Sequence, residues 1–132
     1  MGEKRVIKTL VIEDDPFSVE VLKHLGEKME HIKLDVHHTV TLEESLYFLS
    51  QNQGIELIIL DYRMHSKITG LEVLQHIRAK GINVPVIIAT GSGDEGIAVA
   101  MMKAGASDYL VKGSITTEIL EKSIKEALEY YE

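Results

Sequence analysis

Leu57-Ile58-Ile59-Leu60-Asp61 sets four apolar side chains in a row and ends them on a carboxylate. A strand with one wet face alternates apolar and polar residues. An unbroken short apolar run marks a strand covered on both faces, as in a parallel sheet. The same grammar recurs outward from this segment. Residues 6–12 run into Glu13-Asp14-Asp15, residues 84–89 into Thr90, and residues 109–111 into Lys112. One run differs: His31-Ile32-Lys33-Leu34-Asp35-Val36 alternates strictly, which predicts a half-exposed edge strand over 32–36.

The stretches between these runs carry helix punctuation. Asp15-Pro16 supplies an N-cap and a proline at the first helical position. Phe17, Val21, Leu25 and Met29 then recur at spacing four and predict the buried face. Thr41-Leu42-Glu43-Glu44, Thr69-Gly70-Leu71-Glu72 and Ser92-Gly93-Asp94-Glu95 read as capping boxes. Gly54, Gly81 and Gly105 read as the corresponding stops. Leu71, Leu74 and Ile77 are expected to face inward in the third helix. The last helix is expected from about Thr116, burying Leu120, Ile124, Leu128 and Tyr131.

Five strands, each followed by a helix, predict an α/β fold: a doubly wound, five-stranded parallel sheet with helices on both faces. The flavodoxin-like order 2-1-3-4-5 places the alternating second strand at an edge and makes strands one and three neighbours. With 132 residues, no linker and no repeat, the expectation is a single domain over 1–132, its core about 5–130. Apolar residues make up 45%, enough for a core, but no run approaches the length of a membrane span. Residue 2 is glycine, yet Glu3-Lys4-Arg5-Val6 lacks the hydroxyl residue of a myristoylation pattern. A net charge of −7 argues against a nucleic-acid surface. Cysteine is absent, which excludes disulfides and thiolate metal sites and fits a cytoplasmic location.

Ligands of open α/β sheets bind beyond the carboxyl ends of the strands, at the switch point between the first and third. Glu13, Asp14, Asp61, Thr90 and Lys112 all emerge there. Adjacent strands lie about 4.8 Å apart, so the carboxylates converge. Converging carboxylates repel unless a cation joins them, and a hard ion with oxygen ligands, Mg²⁺, answers that need. A carboxylate beside such an ion can attack phosphorus. Lysine and threonine then supply the cation and donor that the transferring group requires.

These residues resemble the response-regulator receiver domain over nearly the whole chain, about residues 5–130. VIEDDP is similar to the acidic-pair motif, LIILDYRM to the phosphoacceptor motif and GLEVLQHIR to the helix after it. VPVIIATG is similar to the hydroxyl motif and KAGASDYLVK to the lysine motif. The resemblance implies that Asp61 receives a phosphoryl group from a sensor histidine kinase or phosphotransfer protein. It implies that Asp14 and Asp61 bind Mg²⁺, with Glu13 acting through water and Arg63 through its backbone carbonyl. Thr90 and Lys112 would contact the phosphoryl group, and Thr90 with Tyr109 would form the switch. The resemblance further implies a regulatory domain rather than an enzyme. An output domain or a second copy would meet the face of the fourth helix, fifth strand and fifth helix.

The chain departs from the family pattern in three places. His65 stands where the family has proline, the loop from Asp61 to Gly70 is one residue longer, and Gly113 replaces the proline after Lys112. A peptide bond without proline strongly favours trans. The Lys112-Gly113 ending resembles receivers that precede further domains.

The other readings carry less. Asp15 reads as a helix cap rather than a ligand. Met101 and Met102 read as packing residues, and the six histidines as structural or surface groups, with His37 and His38 on opposite faces of a strand. Arg63 and Ser92 are expected near the path of attacking water. A Mg²⁺-dependent phosphohydrolase would want an acid two residues after Asp61, where Arg63 stands. A flavodoxin relative would want a hydroxyl-rich phosphate loop where EDDP stands. A degenerate receiver, binding partners without phosphorylation, is the remaining alternative.

Overall fold

A computed structural model describes residues 3–63, 68–91 and 94–131. Five strands, β1 (Arg5–Ile12), β2 (Ile32–Thr39), β3 (Leu57–Asp61), β4 (Val86–Thr90) and β5 (Asp108–Val111), form one sheet. The order is β2-β1-β3-β4-β5 and every pairing is parallel. Helices α1 (Pro16–Glu27), α2 (Leu42–Gln51), α3 (Gly70–Ala79), α4 (Glu95–Lys103) and α5 (Thr117–Tyr131) alternate with the strands. The predicted flavodoxin-like architecture and strand order are present, with β2 at the edge.

The apolar runs of β1, β3 and β4 are continuous because each of these strands feeds two cores. Ile59 joins Ile7, Val11, Ile87, Leu120 and Ile124 on one face of the sheet. Its neighbours Ile58 and Leu60 join Leu10, Ile12, Val73, Leu74, Ile77, Ile88 and Met101 on the other. Burying each such side chain stabilises the fold by about 1.5–3 kcal/mol before the entropy of ordering is charged against it. Met102, one residue past buried Met101, is exposed.

The helix ends follow local hydrogen-bond chemistry, with some departures from the sequence reading. Thr41 and Thr69 accept from the N–H groups of Glu44 and Glu72, as expected of capping boxes. The third cap is Asp94, which accepts from Ile97, and α4 starts at Glu95. Ser92 and Gly93 of the expected box lie outside the described residues. Helix α2 ends at Gln51, before Gly54, because the Asn52 side chain takes the Phe48 carbonyl. The Thr116 hydroxyl accepts from Ile119 N–H and opens α5 as anticipated.

The inward face of α1 is corrected in part: Met29 is buried and Leu25 packs against the same core, as expected, but the first turns differ. Val19, Leu22 and Gly26 are buried, whereas Phe17 and Val21 are exposed. Gly26 lets the helix settle on β2, since a Cβ there would lie 3.3 Å from Leu34. In α3, Val73, Leu74 and Ile77 are buried, and Leu71 is only half-buried. Tyr131 is also half-buried, its hydroxyl accepting from Arg78 at 3.1 Å. The Arg78 guanidinium also donates to the carbonyls of Ile82, Val84 and Gly105, clasping α3, β4 and β5 at the edge remote from the acidic residues.

Glu121 forms a second clasp. Its carboxylate accepts from the backbone N–H groups of Glu30, His31 and Ile32, which hold the start of β2. Burial pushes its pKa up, but the three N–H groups outweigh that and hold it below its ordinary value of 4.5. A carboxylate with a lower pKa folded than unfolded favours folding above its ordinary range. That stability is lost as pH falls through the folded value. Glu121→Gln, which resembles the protonated acid, is expected to cost about 1–3 kcal/mol at neutral pH. Wild type and variant are expected to converge in acid, as checked by urea denaturation across pH.

Candidate functional site

The carboxyl ends of β1, β3, β4 and β5 bring the predicted residues to one edge. Parallel pairing places Asp61 beside Ala89 and Thr90 beside Val111, one residue before Lys112. Glu13 follows β1 directly, its N–H donating to the Thr39 carbonyl at the end of β2. Ligand oxygens of Glu13, Asp14 and Asp61 all lie within 4.8 Å of one another. Glu13 and Asp61 are buried, Asp14 is half-exposed and Thr90 is buried.

Lys112 reaches into this cluster from the end of β5. Its Nζ lies 2.5 Å from Glu13 Oε1 and 3.2 Å from Asp61 Oδ1. A third contact, 3.2 Å, goes to the Ser18 hydroxyl on α1. Glu13 Oε2 also accepts from Asp15 N–H at 3.3 Å.

The electrostatics follow from burial and charge count. Burial raises the Glu13 pKa, the Lys112 hydrogen bond lowers it, and the Asp61 charge raises it again, to about 6 in sum. Burial works to lower the Lys112 pKa, but the Glu13 and Asp61 carboxylates outweigh it and hold it above its ordinary value. Among the described residues, one ammonium, that of Lys112, contacts this group of three carboxylates.

The donor set fits Mg²⁺. Its described side-chain donors, Glu13, Asp14 and Asp61, are carboxylates, the oxygen ligands a hard cation takes at about 2.0–2.1 Å. Oxygens within 4.8 Å can share one ion directly or through water.

The remaining predicted residues divide. Asp15 caps α1 as expected, accepting from Phe17 N–H at 3.1 Å and the Ser18 hydroxyl at 3.0 Å. The hydroxyl contact first, then the N–H, hold its pKa below the ordinary value. Tyr109 is half-buried on β5 and packs against the core that holds Leu74, Ile88 and Met101. Arg63 is exposed two residues after Asp61. His65 and most of the longer loop, like Ser92, lie outside the described residues. No peptide bond is cis among the described residues, so Lys112–Gly113 is trans, and Lys112–Ser114 forms a short 3₁₀ turn.

Three contributors escaped the sequence reading. His38 Nε2 lies 2.6 Å from the Glu13 carbonyl and steadies the acidic loop from β2. Ser18 joins α1 to Lys112. Gly70 leaves room for the backbone after β3: a Cβ there would lie 2.6 Å from the Asp61 carbonyl oxygen and 2.7 Å from Tyr62 Cα. A glycine directly after the Thr69 cap, in a helix that needs none, is the one signal the sequence offered for it.

A doubly wound parallel sheet with an acidic cluster and a lysine at its switch point defines the class of open α/β proteins with a cation-binding site at the strands' carboxyl ends. The comparisons narrow this further. Residues 9–125 match the family model described as the response regulator receiver domain, and the chain belongs to that family. It is 27% identical over 125 residues to a chemotaxis protein CheY homolog of Campylobacter jejuni, covering 92% of each. It is 36% identical over 132 residues to a probable C4-dicarboxylate response regulator of Halalkalibacterium halodurans, spanning all of this chain but 54% of that one. The structure resembles a response regulator receiver domain protein from Clostridium thermocellum, with TM-score 0.80 and 31% identity, covering 95% of this chain and 96% of that one. No described helix is long and apolar enough to cross a membrane.

Proposed function

We propose that this receiver domain, spanning 1–132, is a Mg²⁺-dependent phosphoacceptor switch in which Asp61 takes the phosphoryl group. The observation that carries this reading is the meeting of Glu13, Asp14 and Asp61 with Lys112 at one edge of the sheet. Asp14 and Asp61 would hold the ion, with Glu13 acting through water and the Arg63 carbonyl completing the protein's share. When bound, the ion neutralises the carboxylates and draws charge from the phosphoryl oxygens.

This chain's residues do the rest. A carboxylate oxygen of Asp61 attacks phosphorus, forming the O–P bond as the bond to the donor breaks and the leaving group keeps its electron pair. A histidine kinase or phosphotransfer protein supplies the group from a phosphohistidine. Lys112, already 3.2 Å from Asp61, balances the charge that arrives. The Thr90 hydroxyl donates to the phosphoryl group, and Tyr109 two strands from Asp61 follows its movement. The altered face of α4, β5 and α5 then meets an output domain or a second copy. Val99 and Met102 stand exposed on α4 and suit such a contact. The chain acts as a regulatory domain in the cytoplasm rather than as an enzyme on a separate substrate.

Removing Mg²⁺ tests the reading. Intact mass after incubation with acetyl phosphate and Mg²⁺ is expected to show one phosphoryl adduct, absent when EDTA replaces the metal. An adduct of equal yield in EDTA would contradict it.

A further inference from the structure

We propose that Ser18 is a positioning residue that holds the Lys112 ammonium toward Asp61, an inference that rests on the phosphoacceptor reading. The ammonium has three N–H donors and no acceptor. The structure gives it three acceptors: Glu13 Oε1 at 2.5 Å, Asp61 Oδ1 at 3.2 Å and Ser18 Oγ at 3.2 Å. The Ser18 proton goes to Asp15 Oδ2 at 3.0 Å. This fixes the sense of the chain, because an ammonium only donates and a carboxylate only accepts, with the hydroxyl doing each once.

Asp15 is in turn fixed as the cap of α1, accepting from Phe17 N–H. Ser18 therefore ties a long, flexible side chain to the rigid start of a helix. Such a tether matters here because the 3₁₀ turn Lys112–Ser114 holds the backbone of Lys112 but not its long side chain. That side chain keeps its rotamer freedom unless the ammonium is bound. When the phosphoryl group forms on Asp61, an ammonium held by Glu13 and Ser18 needs no search to reach it.

Ser18→Ala removes the tether and keeps the Asp15 cap, while Ser18→Thr keeps the hydroxyl. With acetyl phosphate and saturating Mg²⁺, Ser18→Ala is expected to lower the maximal rate of Asp61 phosphorylation about 3–10-fold, the worth of one hydrogen bond. Half-saturation by the donor should not change, and Ser18→Thr should restore the rate. In side-chain ¹⁵N spectra, the Lys112 ammonium signal, assigned through Lys112→Met, should be protected from exchange in wild type and Ser18→Thr and broadened in Ser18→Ala.

Wild-type uptake with an unchanged rate and signal in Ser18→Ala overturns the inference alone. Equal slowing by Ser18→Ala and Ser18→Thr also overturns it, since the hydroxyl would then be irrelevant. No uptake by the wild type overturns the phosphoacceptor reading and this inference with it.

Discussion

Asp61→Asn is expected to abolish the phosphoryl adduct while leaving the fold intact. The substitution is nearly isosteric at a buried position, so the packing of β3 against β4 need not change. An amide oxygen lacks the charge that lets a carboxylate attack phosphorus. The neighbouring acids do not replace it. Glu13 is engaged by Lys112 at 2.5 Å and by Asp15 N–H at 3.3 Å. Its pKa of about 6 also leaves it less fully ionised near neutrality than an ordinary carboxylate. Asp14 leaves the end of β1, in the loop before α1, on the acidic pair's side of the cluster. Intact mass with acetyl phosphate and Mg²⁺ checks the result against thermal unfolding of the same samples. An adduct on the variant at the wild-type rate would place the acceptor elsewhere.

Lys112→Ala has the next largest effect, and it divides between chemistry and stability. Losing a preorganised cation at the point where charge would arrive is expected to lower the rate of phosphoryl uptake about 10²–10³-fold. The same change leaves Glu13 and Asp61 facing each other, both buried, without the ammonium that lay between them. The resulting repulsion costs about 2 kcal/mol, below the range for a fully buried pair because Lys112 keeps some contact with water. Added Mg²⁺ supplies the missing positive charge. It should therefore raise the melting temperature of the variant more than that of wild type. Equal Mg²⁺ responses would show that Lys112 does not share the pocket's charge balance with a cation.

The strands and their order were legible because a buried parallel strand cannot hide its composition. The run 57–60 is apolar at every position since Ile58 and Ile59 enter opposite cores. The site was legible for the same reason: a polar residue that ends such a run must emerge at the sheet's edge. Contacts between residues distant in sequence left no such mark. Glu121 binds N–H groups about 90 positions away, and Ser18 meets Lys112 across 94. Neither pairing has a period or spacing to betray it. The face of α1 was misread at Phe17 and Val21, though not at Leu25 and Met29, because the helix carries two apolar stripes. The stripe through Phe17 and Val21 is the more hydrophobic, yet the buried one runs through Val19, Leu22 and Gly26. A hydrophobicity pattern gives no weight to a glycine, whereas packing against Leu34 does. The cap of α4 moved from Ser92 to Asp94 because either residue can accept from a helix N–H and only the backbone path decides between them.

The most direct test of the account is to locate the modified atom. An acyl phosphate on aspartate is reduced by borohydride to homoserine, whereas a phosphate ester on serine, threonine or tyrosine is not. Wild-type protein treated with acetyl phosphate and Mg²⁺, then reduced and digested, is predicted to carry homoserine at position 61 alone. Homoserine at position 14, or a phosphorylated protein that yields none, would contradict the assignment of Asp61 as the acceptor.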